Sequence, residues 1–332
     1  MNRKLLFVFL SCLLIVALVG CSTPAPQEPE GGEEGGEEQA PAEQVFINIA
    51  SGGTAGTYFP LAGGMADIWN KNIPGVNATA QSTGASVANI NLLRDGEADV
   101  IMVQNDIAYY SANGTEMFEG DAYSSLRGLC ILYPETIQIV TIEGKGIETV
   151  ADLKGKRVAV GAAGSGTEAN ARQIMEAAGI TYDDITVQYL SFAEAANNLK
   201  DGNVDVAFVT AGHPTAAIQD IGAQHDVKLV VVEDDMADAL IDKYPFYTKI
   251  IVPGGTYTGI DEDIKTVAVQ AMLAIDAGMD EDLAYNMLKT MYDNHDRMVA
   301  AHTTAGAKIK PETGLDGMGI ELHPGAAKYF NK

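Results

Sequence analysis

Apolar positions in this chain come in short bursts separated by glycine. Val45-Phe-Ile-Asn-Ile-Ala50, Val100-Ile-Met-Val103 and Val158-Ala-Val160 are β-rich runs of strand length. Each reads as a buried strand. Ala- and Glu-rich runs follow some of them. They predict helices over about Tyr58–Asn70, Val87–Leu93 and Glu168–Ala178, the last ending at Gly179. Leu129 to Glu143 is longer and apolar, with Tyr133-Pro-Glu-Thr136 inside it, and predicts a strand crossing between two bodies. Lys249-Ile-Ile-Val-Pro-Gly-Gly255 predicts the return crossing. Two further helices are expected at about Asp261–Ala277 and Asp282–His302, before a charged tail ending in Leu322-His-Pro-Gly-Ala-Ala-Lys328.

The pattern repeats. Leu93-Arg-Asp-Gly-Glu-Ala-Asp-Val-Ile-Met-Val103 resembles Leu199-Lys-Asp-Gly-Asn-Val-Asp-Val-Ala-Phe-Val209, with Asp95 and Asp201 106 positions apart. Gly56 and Gly164, in matching glycine loops, are 108 apart. Each half reads as strand, glycine loop, helix, strand, loop, helix, Asp-Gly turn, strand. Such alternation predicts parallel α/β sheets with ligands off the strand C-termini. Val45 to Lys332 is 288 residues, enough for two such bodies.

The loop Gly161-Ala-Ala-Gly-Ser-Gly166, between a strand and a helix start, aims free N–H groups and the positive end of a helix dipole at one point. Four readings stay open. Its Gly-x-x-x-x-Gly spacing is that of a P-loop, but Thr167 stands where a P-loop has Lys. Gly164-x-Gly166-x-x-Ala169 fits the loose dinucleotide pattern, with Asp183 and Asp184 downstream. A tight turn that only packs the helix is the plainest reading. A small carboxylate held by the helix start is the fourth.

The other predicted loops collect similar groups. Thr54, Gly56, Thr57 and Tyr58 lie at the first glycine loop, and Ser82, Thr83 and Ser86 at the next helix start. Gln104, Asn105 and Asp106 follow the strand ending at Val103; Gly212 and His213 follow its repeat. With Ser165, Gly166 and Thr167 they predict a cleft of hydroxyls, amides and helix starts, suited to a small polar ligand. Tyr133 and Glu135 belong to the crossing. Glu135 and Asp106 can accept an ammonium, or Glu135 can serve the hinge alone.

Charge and cysteine narrow the classes. The chain carries 45 acidic and 21 basic residues, −24 net. Seven Glu and no base fall in the Pro-, Gly- and Glu-rich stretch Ser22–Gln44, a composition that cannot bury a core and reads as a tether. Without it and the two bases near the N-terminus, 19 bases and 38 acids remain. That balance argues against a nucleic-acid partner. Arg3 and Lys4 precede the apolar run Leu5–Leu18, the form of a signal peptide. Leu18-Val-Gly-Cys21 resembles a bacterial lipoprotein box, which implies cleavage before Cys21 and lipid on its thiol. Cys130 is left alone in an apolar run, the setting of an inert buried thiol. No Gly-x-Ser-x-Gly or His-Glu-x-x-His motif is present, and the five His are scattered. No metal, cofactor or catalysis is expected.

Several stretches together resemble one family, the TAXI solute-binding proteins of TRAP (tripartite ATP-independent periplasmic) transporters. They are Gly52-Gly-Thr-Ala-Gly-Thr-Tyr58, Ser82-Thr-Gly-Ala-Ser86, Leu132-Tyr-Pro-Glu135, Val150-Ala-Asp-Leu-Lys-Gly-Lys-Arg157, Gly164-Ser-Gly-Thr167, Pro245-Phe-Tyr247 and Leu322-His-Pro-Gly-Ala326. The resemblance implies a type II periplasmic-binding-protein fold, two α/β lobes joined by a two-strand hinge. It also implies capture of a glutamate-like or 2-oxoglutarate-like acid for an ion-gradient-driven permease. The better-known dicarboxylate branch pairs its ligand with an Arg. No Arg lies in these loops, so Ser165, Thr167 and backbone N–H groups are expected to hold the carboxylate. The expected order is a signal peptide (1–20), the tether (21–44), lobe 1 (45–140 with 249–332) and lobe 2 (141–248). A ligand-presenting sensor and an exported enzyme for a phosphate substrate are the alternatives.

Overall fold

Both halves of the repeat fold to the same plan. In the computed structural model, which describes residues 44–331, the first half runs β1 (Val45–Ala50), α1 (Tyr58–Asn72), β2 (Val76–Gln81), α2 (Ser86–Arg94), β3 (Val100–Gln104) and α3 (Asn105–Asn113). The long strand β4 (Leu126–Ile142) leads out of it. The second half runs β5 (Arg157–Gly161), α4 (Gly166–Ala177), β6 (Thr186–Tyr189), α5 (Phe192–Lys200) and β7 (Val206–Ala211). After it come α6 (Ala216–Gly222), β8 (Val227–Val230), α7 (Asp234–Lys243) and β9 (Thr248–Val252). The strand β10 (Ile264–Asp276) returns to the first half, followed by α8 (Glu281–Asp293), α9 (His295–Ala301), α10 (Thr303–Lys308) and α11 (Pro324–Phe330).

The strands join in the order β2-β1-β3-β10-β4-β7-β5-β6, with β8 on β4 and β9 on β10. The pairs within each repeat are parallel, as expected. The two crossing strands are not: β4 and β10 run antiparallel to each other and to their neighbours. Both change partners at one level. β4 pairs β10 up to Thr136 and β7 from Thr136 onward. β10 pairs β9 over Ile264–Ala268 and β3 over Ala271–Ala274, and Thr136 stands opposite Ala268. The hinge therefore sits at Thr136 and Ala268.

Three expectations are corrected here. The predicted helix Asp261–Ala277 is the strand β10. Its run Thr-Val-Ala-Val-Gln-Ala-Met-Leu-Ala-Ile carries helix-forming Ala, Met and Leu. It lacks alternation because it is buried on both faces, and pairing on both edges overrides propensity. The return crossing is β10, not Lys249–Gly255; β9 pairs only with β10 and stays in the second lobe. Val252, Tyr257 and Ile260 pack with Ala207 and Val209 there, and Val267 with Phe208. Residues 249–267 thus side with the second lobe rather than the first. Finally, the helix expected over Asp282–His302 is two, α8 and α9, meeting at Asn294.

Each lobe has its own core. In the first, α1 buries Leu61, Met65 and Trp69 against Met287, Leu288 and Met291 of α8. Trp69 is fully buried, and its Nε1–H donates to the Met287 carbonyl at 3.0 Å. Burying an indole contributes roughly 5 kcal/mol at 25 cal/mol per Å². In the second, Val158 and Val160 of β5 meet Ile174 and Met175 of α4. Cys130 is buried in the first core, and burial pushes its thiol up to about 12, so it is unreactive there.

Candidate ligand-binding site

The C-terminal ends of the parallel strands from both lobes open on one cavity, partly open to solvent. The first lobe brings Gly52, Gly53, Gly56, Thr57 and Tyr58 from the β1–α1 loop, Thr83 to Ser86 from the β2–α2 loop, and Gln104 from the end of β3. The second brings Ala162, Ser165, Gly166 and Thr167, then Ser191 and Phe192 from the β6–α5 loop and Thr210 and Ala211 from β7. Glu135 comes from the hinge strand between them. No Lys or Arg is among these residues.

The lobes meet closely around this space. The Gly164 carbonyl accepts from both Val87 N–H and Ala88 N–H at 3.1 Å. In the first turn of α2 the Val87 and Ala88 N–H groups are therefore taken by the opposite lobe, while Ser86 faces the cavity. The first turn of α4 differs. Ser165 caps it by accepting from Glu168 N–H at 3.2 Å. Gly166 and Thr167, the first two residues of that helix, have N–H groups with no acceptor within it. The loop before them is tight: Gly161 and Gly164 hold φ of 106° and 74°. The loop is a tight turn, and the helix start that follows it opens on the shared cavity.

Across the cavity stands a carboxyl group without a cation. Glu135 is 2% exposed. Tyr58 Oη donates to it at 2.9 Å and Tyr133 Oη at 3.4 Å. Burial raises its pKa to about 8; the Tyr58 bond opposes this, the nearby Asp106 adds to it, and Tyr133 and Gln104 oppose it. Gln104 is 3% exposed, and its Oε1 has no hydrogen-bond partner among the described residues. That oxygen lies against Gly166 so closely that a Cβ there would stand 2.0 Å from it. A buried acceptor left unpaired costs about 1–3 kcal/mol, so Gln104 Oε1 calls for a donor.

Ten of the sixteen expected ligand residues line the cavity: Gly56, Thr57, Tyr58, Thr83, Ser86, Gln104, Glu135, Ser165, Gly166 and Thr167. Six do not. Thr54 is exposed at the loop tip. Ser82 Oγ donates to the Gly52 carbonyl at 3.0 Å and braces the loop from outside. Asn105 turns away because α3 starts at once after β3; its Nδ2 donates to Gly317 O and its Oδ1 accepts from Gln270 N–H, both at 3.0 Å. Tyr133 stands behind Glu135. The Gly212 carbonyl accepts from Thr57 Oγ1 at 3.3 Å across the lobes. His213 Nδ1 pairs with Thr136 Oγ1 at 2.9 Å at the hinge, and burial, then Lys308 and His302, press its pKa to about 4. Asp106, read as a possible ammonium acceptor, is buried outside the lining and bonded to Asn170.

Ser191, Phe192 and Thr210 were not anticipated. The repeat held the signal: the offset of 106 carries Ser86 onto Phe192 and Gln104 onto Thr210. Phe192 reaches across, so that a Cβ on Gly56 would stand 3.3 Å from its ring. Ala85, at the head of α2, holds φ of 70°, a strained value for a residue with a Cβ. Thr83 Oγ1 accepts from its N–H at 3.1 Å and fixes it there.

The expected lipid-bearing Cys21, signal peptide and tether lie outside the described residues. Among those described, no helix is long and apolar enough to cross a membrane.

Comparison with known proteins extends the geometry. The model of the NMT1-like family matches residues 49–332. The alkanesulfonate-binding protein SsuA from Xanthomonas axonopodis pv. citri, solved with MOPS bound, is 16% identical, with a TM-score of 0.50 over 87% of this chain and 84% of that one. A protein of Bordetella bronchiseptica RB50 is 16% identical, with a TM-score of 0.54 over 87% and 82%. A putative L-cystine ABC transporter from Listeria monocytogenes is 15% identical, with a TM-score of 0.50 over 81% and 99%. At such identities the likeness is one of fold, and it gives the type II periplasmic-binding-protein fold.

Proposed function

The chain belongs to the NMT1-like family, and from that premise we propose an extracytoplasmic receptor that captures a glutamate-like amino acid between its lobes. The observation that carries this is the division of the cavity. On one side Glu135 accepts; on the other Gly166 and Thr167 offer N–H groups at a helix start, with the orphan Gln104 Oε1 beside Gly166. An α-ammonium pairs with Glu135 and an α-carboxylate with the two N–H groups. A keto acid such as 2-oxoglutarate would bring Glu135 no ammonium and add anions to a cavity without a cation. The solute is released unchanged, since nothing in the cavity is arranged as a nucleophile and base.

The TAXI-like motifs support delivery to a TRAP permease driven by an ion gradient. The names of two fold neighbours, a sulfonate-binding protein and an ABC transporter component, are in keeping with a role in solute uptake. Residues 1–20 act as a lipoprotein signal in this reading. Lipid on Cys21 and the acidic stretch 21–44 tether the receptor outside the cell membrane.

A thermal-shift screen of amino, keto and dicarboxylic acids tests the reading. A solute at 100 times its dissociation constant adds about 2.7 kcal/mol, roughly 5 °C for a chain of this size. An amino acid is expected to give that shift. A shift with keto acids alone would overturn the ammonium assignment, and turnover of any shifting compound would overturn the receptor.

A further inference from the structure

Behind the ligand cavity the lobes share a second polar cluster, joined to the cavity lining through Thr210. Asp106, in the first turn of α3, belongs to the first lobe and is 1% exposed. Its Oδ2 accepts from Asn170 Nδ2 of α4, in the second lobe, at 3.1 Å; its Oδ1 accepts from Ile107 N–H at 2.9 Å. Asn170 also donates to Tyr247 Oη at 3.0 Å and accepts from Thr210 Oγ1 at 3.2 Å. Tyr247 Oη donates to Gln173, which reaches Tyr110 Oη of α3 at 3.4 Å. The cluster thus spans the lobes, with Asp106 and Tyr110 on one side and Asn170, Gln173, Thr210 and Tyr247 on the other.

No cation faces this carboxyl group. Its ionisable neighbours are Tyr110 on its own helix, Tyr247 from the approach to β9, and Glu135 on the hinge strand with Tyr58 and Tyr133 around it. Opening the lobes separates Asn170 from Asp106 and lets water reach it. Closing them withdraws the group from water beside a second buried carboxyl. A charged Asp106 opposes closure and a neutral one does not.

We propose that Asp106 is a positioning residue through which closure of the receptor takes up one proton from solvent. The proposal deepens the receptor reading and rests on it. Burial in the closed state raises the Asp106 pKa to about 7, opposed by the Ile107 and Asn170 bonds. A carboxyl raised on closing carries no penalty below its open-state pKa. The penalty grows as pH climbs and is complete above about 7. Closure is therefore favoured by acid and weakened toward neutrality. Glu135, raised to about 8 by the same burial, titrates over the same range without a solute and is removed first in the test.

The test needs no solute. Spin labels at Glu97→Cys and Asp201→Cys, exposed turns of opposite lobes, report the interlobe distance. From pH 8 to pH 5 the closed-to-open ratio of the otherwise native chain is expected to rise roughly ten- to a hundredfold. Glu135→Gln should keep a dependence of that size, and Asp106→Asn added to the Glu135→Gln chain should flatten it. A distance distribution unchanged between pH 8 and pH 5 overturns the proposal, as does a dependence that survives both substitutions. If the double variant does not fold, the Glu135→Gln chain decides: a dependence it abolishes belongs to Glu135 and sinks the proposal. Failure of every solute in the thermal screen would overturn the receptor reading and leave this distance measurement as it stands.

Discussion

The two lobes run the same plan and use it differently at the same two positions. Thr57 and Ser165 precede α1 and α4, and Tyr58 and Gly166 begin them, each pair 108 apart. Ser165 turns inward and caps its own helix. Thr57 makes no cap and donates across the lobes to the Gly212 carbonyl instead. Tyr58 sends a phenol to Glu135, whereas Gly166 presents bare backbone to Gln104. The first lobe thus contributes arms that brace the hinge carboxyl group, and the second contributes the open donors of a helix start. Duplicated topology sets where groups emerge; the residue at each emergence decides whether it braces the protein or meets the ligand.

The sharpest break of that comparison is Gly166→Ala. The added methyl falls 2.0 Å from Gln104 Oε1, so the lobes meet as they do here only if the buried Gln104 amide moves aside. Overpacking of this kind costs up to about 3 kcal/mol. Because the clash exists only when the lobes meet, it acts on closure, and solute affinity should fall roughly 100-fold with little change in melting temperature. Calorimetric titration beside a melting curve checks this; a variant that binds within about threefold of the native chain would detach Gly166 from the interlobe contact.

Glu135→Gln tests the first lobe's side of the cavity. Hydrogen bonds to a charged group are worth about 1.5–3 kcal/mol, so an amino acid should bind ten- to a hundredfold more weakly. A keto acid should lose nothing. Equal losses for both would return Glu135 to a purely hinge role, paired with Tyr58 and Tyr133. Thr167→Ala is the milder test on the second side. Its hydroxyl has no protein partner among the hydrogen bonds of this loop, while its backbone N–H survives the change. About a tenfold loss is expected from the same titration, and no loss would leave the carboxylate to backbone donors alone.

How much of this the sequence disclosed follows from which signals are local. The strand–glycine–helix units were legible, since a β-branched run, a glycine loop and a helix start are adjacent in the chain. Thr57, Tyr58, Gln104, Ser165 and Thr167 followed from them. The strand β10 was not legible: Val267 to Ile275 is buried on both faces, so neither period shows, and its two paired edges are long-range facts. With it went the position of the return crossing. Asn105 was misjudged because a helix beginning immediately after β3 rotates that side chain toward Gln270 and Gly317. Phe192 was within reach of the repeat but does not look like a ligand residue. The filling of the α2 start by Gly164 depends on how two lobes close, which no local pattern encodes.

The smallest expected effect contrasts the two lobes away from the cavity. Asp99 and Asp205 hold corresponding places before β3 and β7. Asp99 Oδ2 accepts from Asn48 N–H at 2.7 Å, and Asp205 Oδ2 accepts from Arg157 N–H at 3.0 Å. Only the second lobe adds a side-chain cation: Arg157 Nε donates to Oδ2 at 3.0 Å and Nη2 to Oδ1 at 2.6 Å. This two-pronged bond to Arg157 is the main reason the Asp205 pKa falls to about 2, against some burial. A depressed carboxylate stabilises the folded state above its unfolded pKa, near 3.9, and that contribution is lost as pH drops through about 2. Arg157 is partly exposed, so solvent screening holds the extra term to about 1 kcal/mol. Asp205→Asn should therefore lower stability by about 1 kcal/mol more than Asp99→Asn at pH 7, with solute affinity unchanged in both. Urea melts at pH 7 and pH 2.5 check the sign: the gap between the two variants should narrow in acid. A gap that persists at pH 2.5 would assign it to packing around Arg157 rather than to charge.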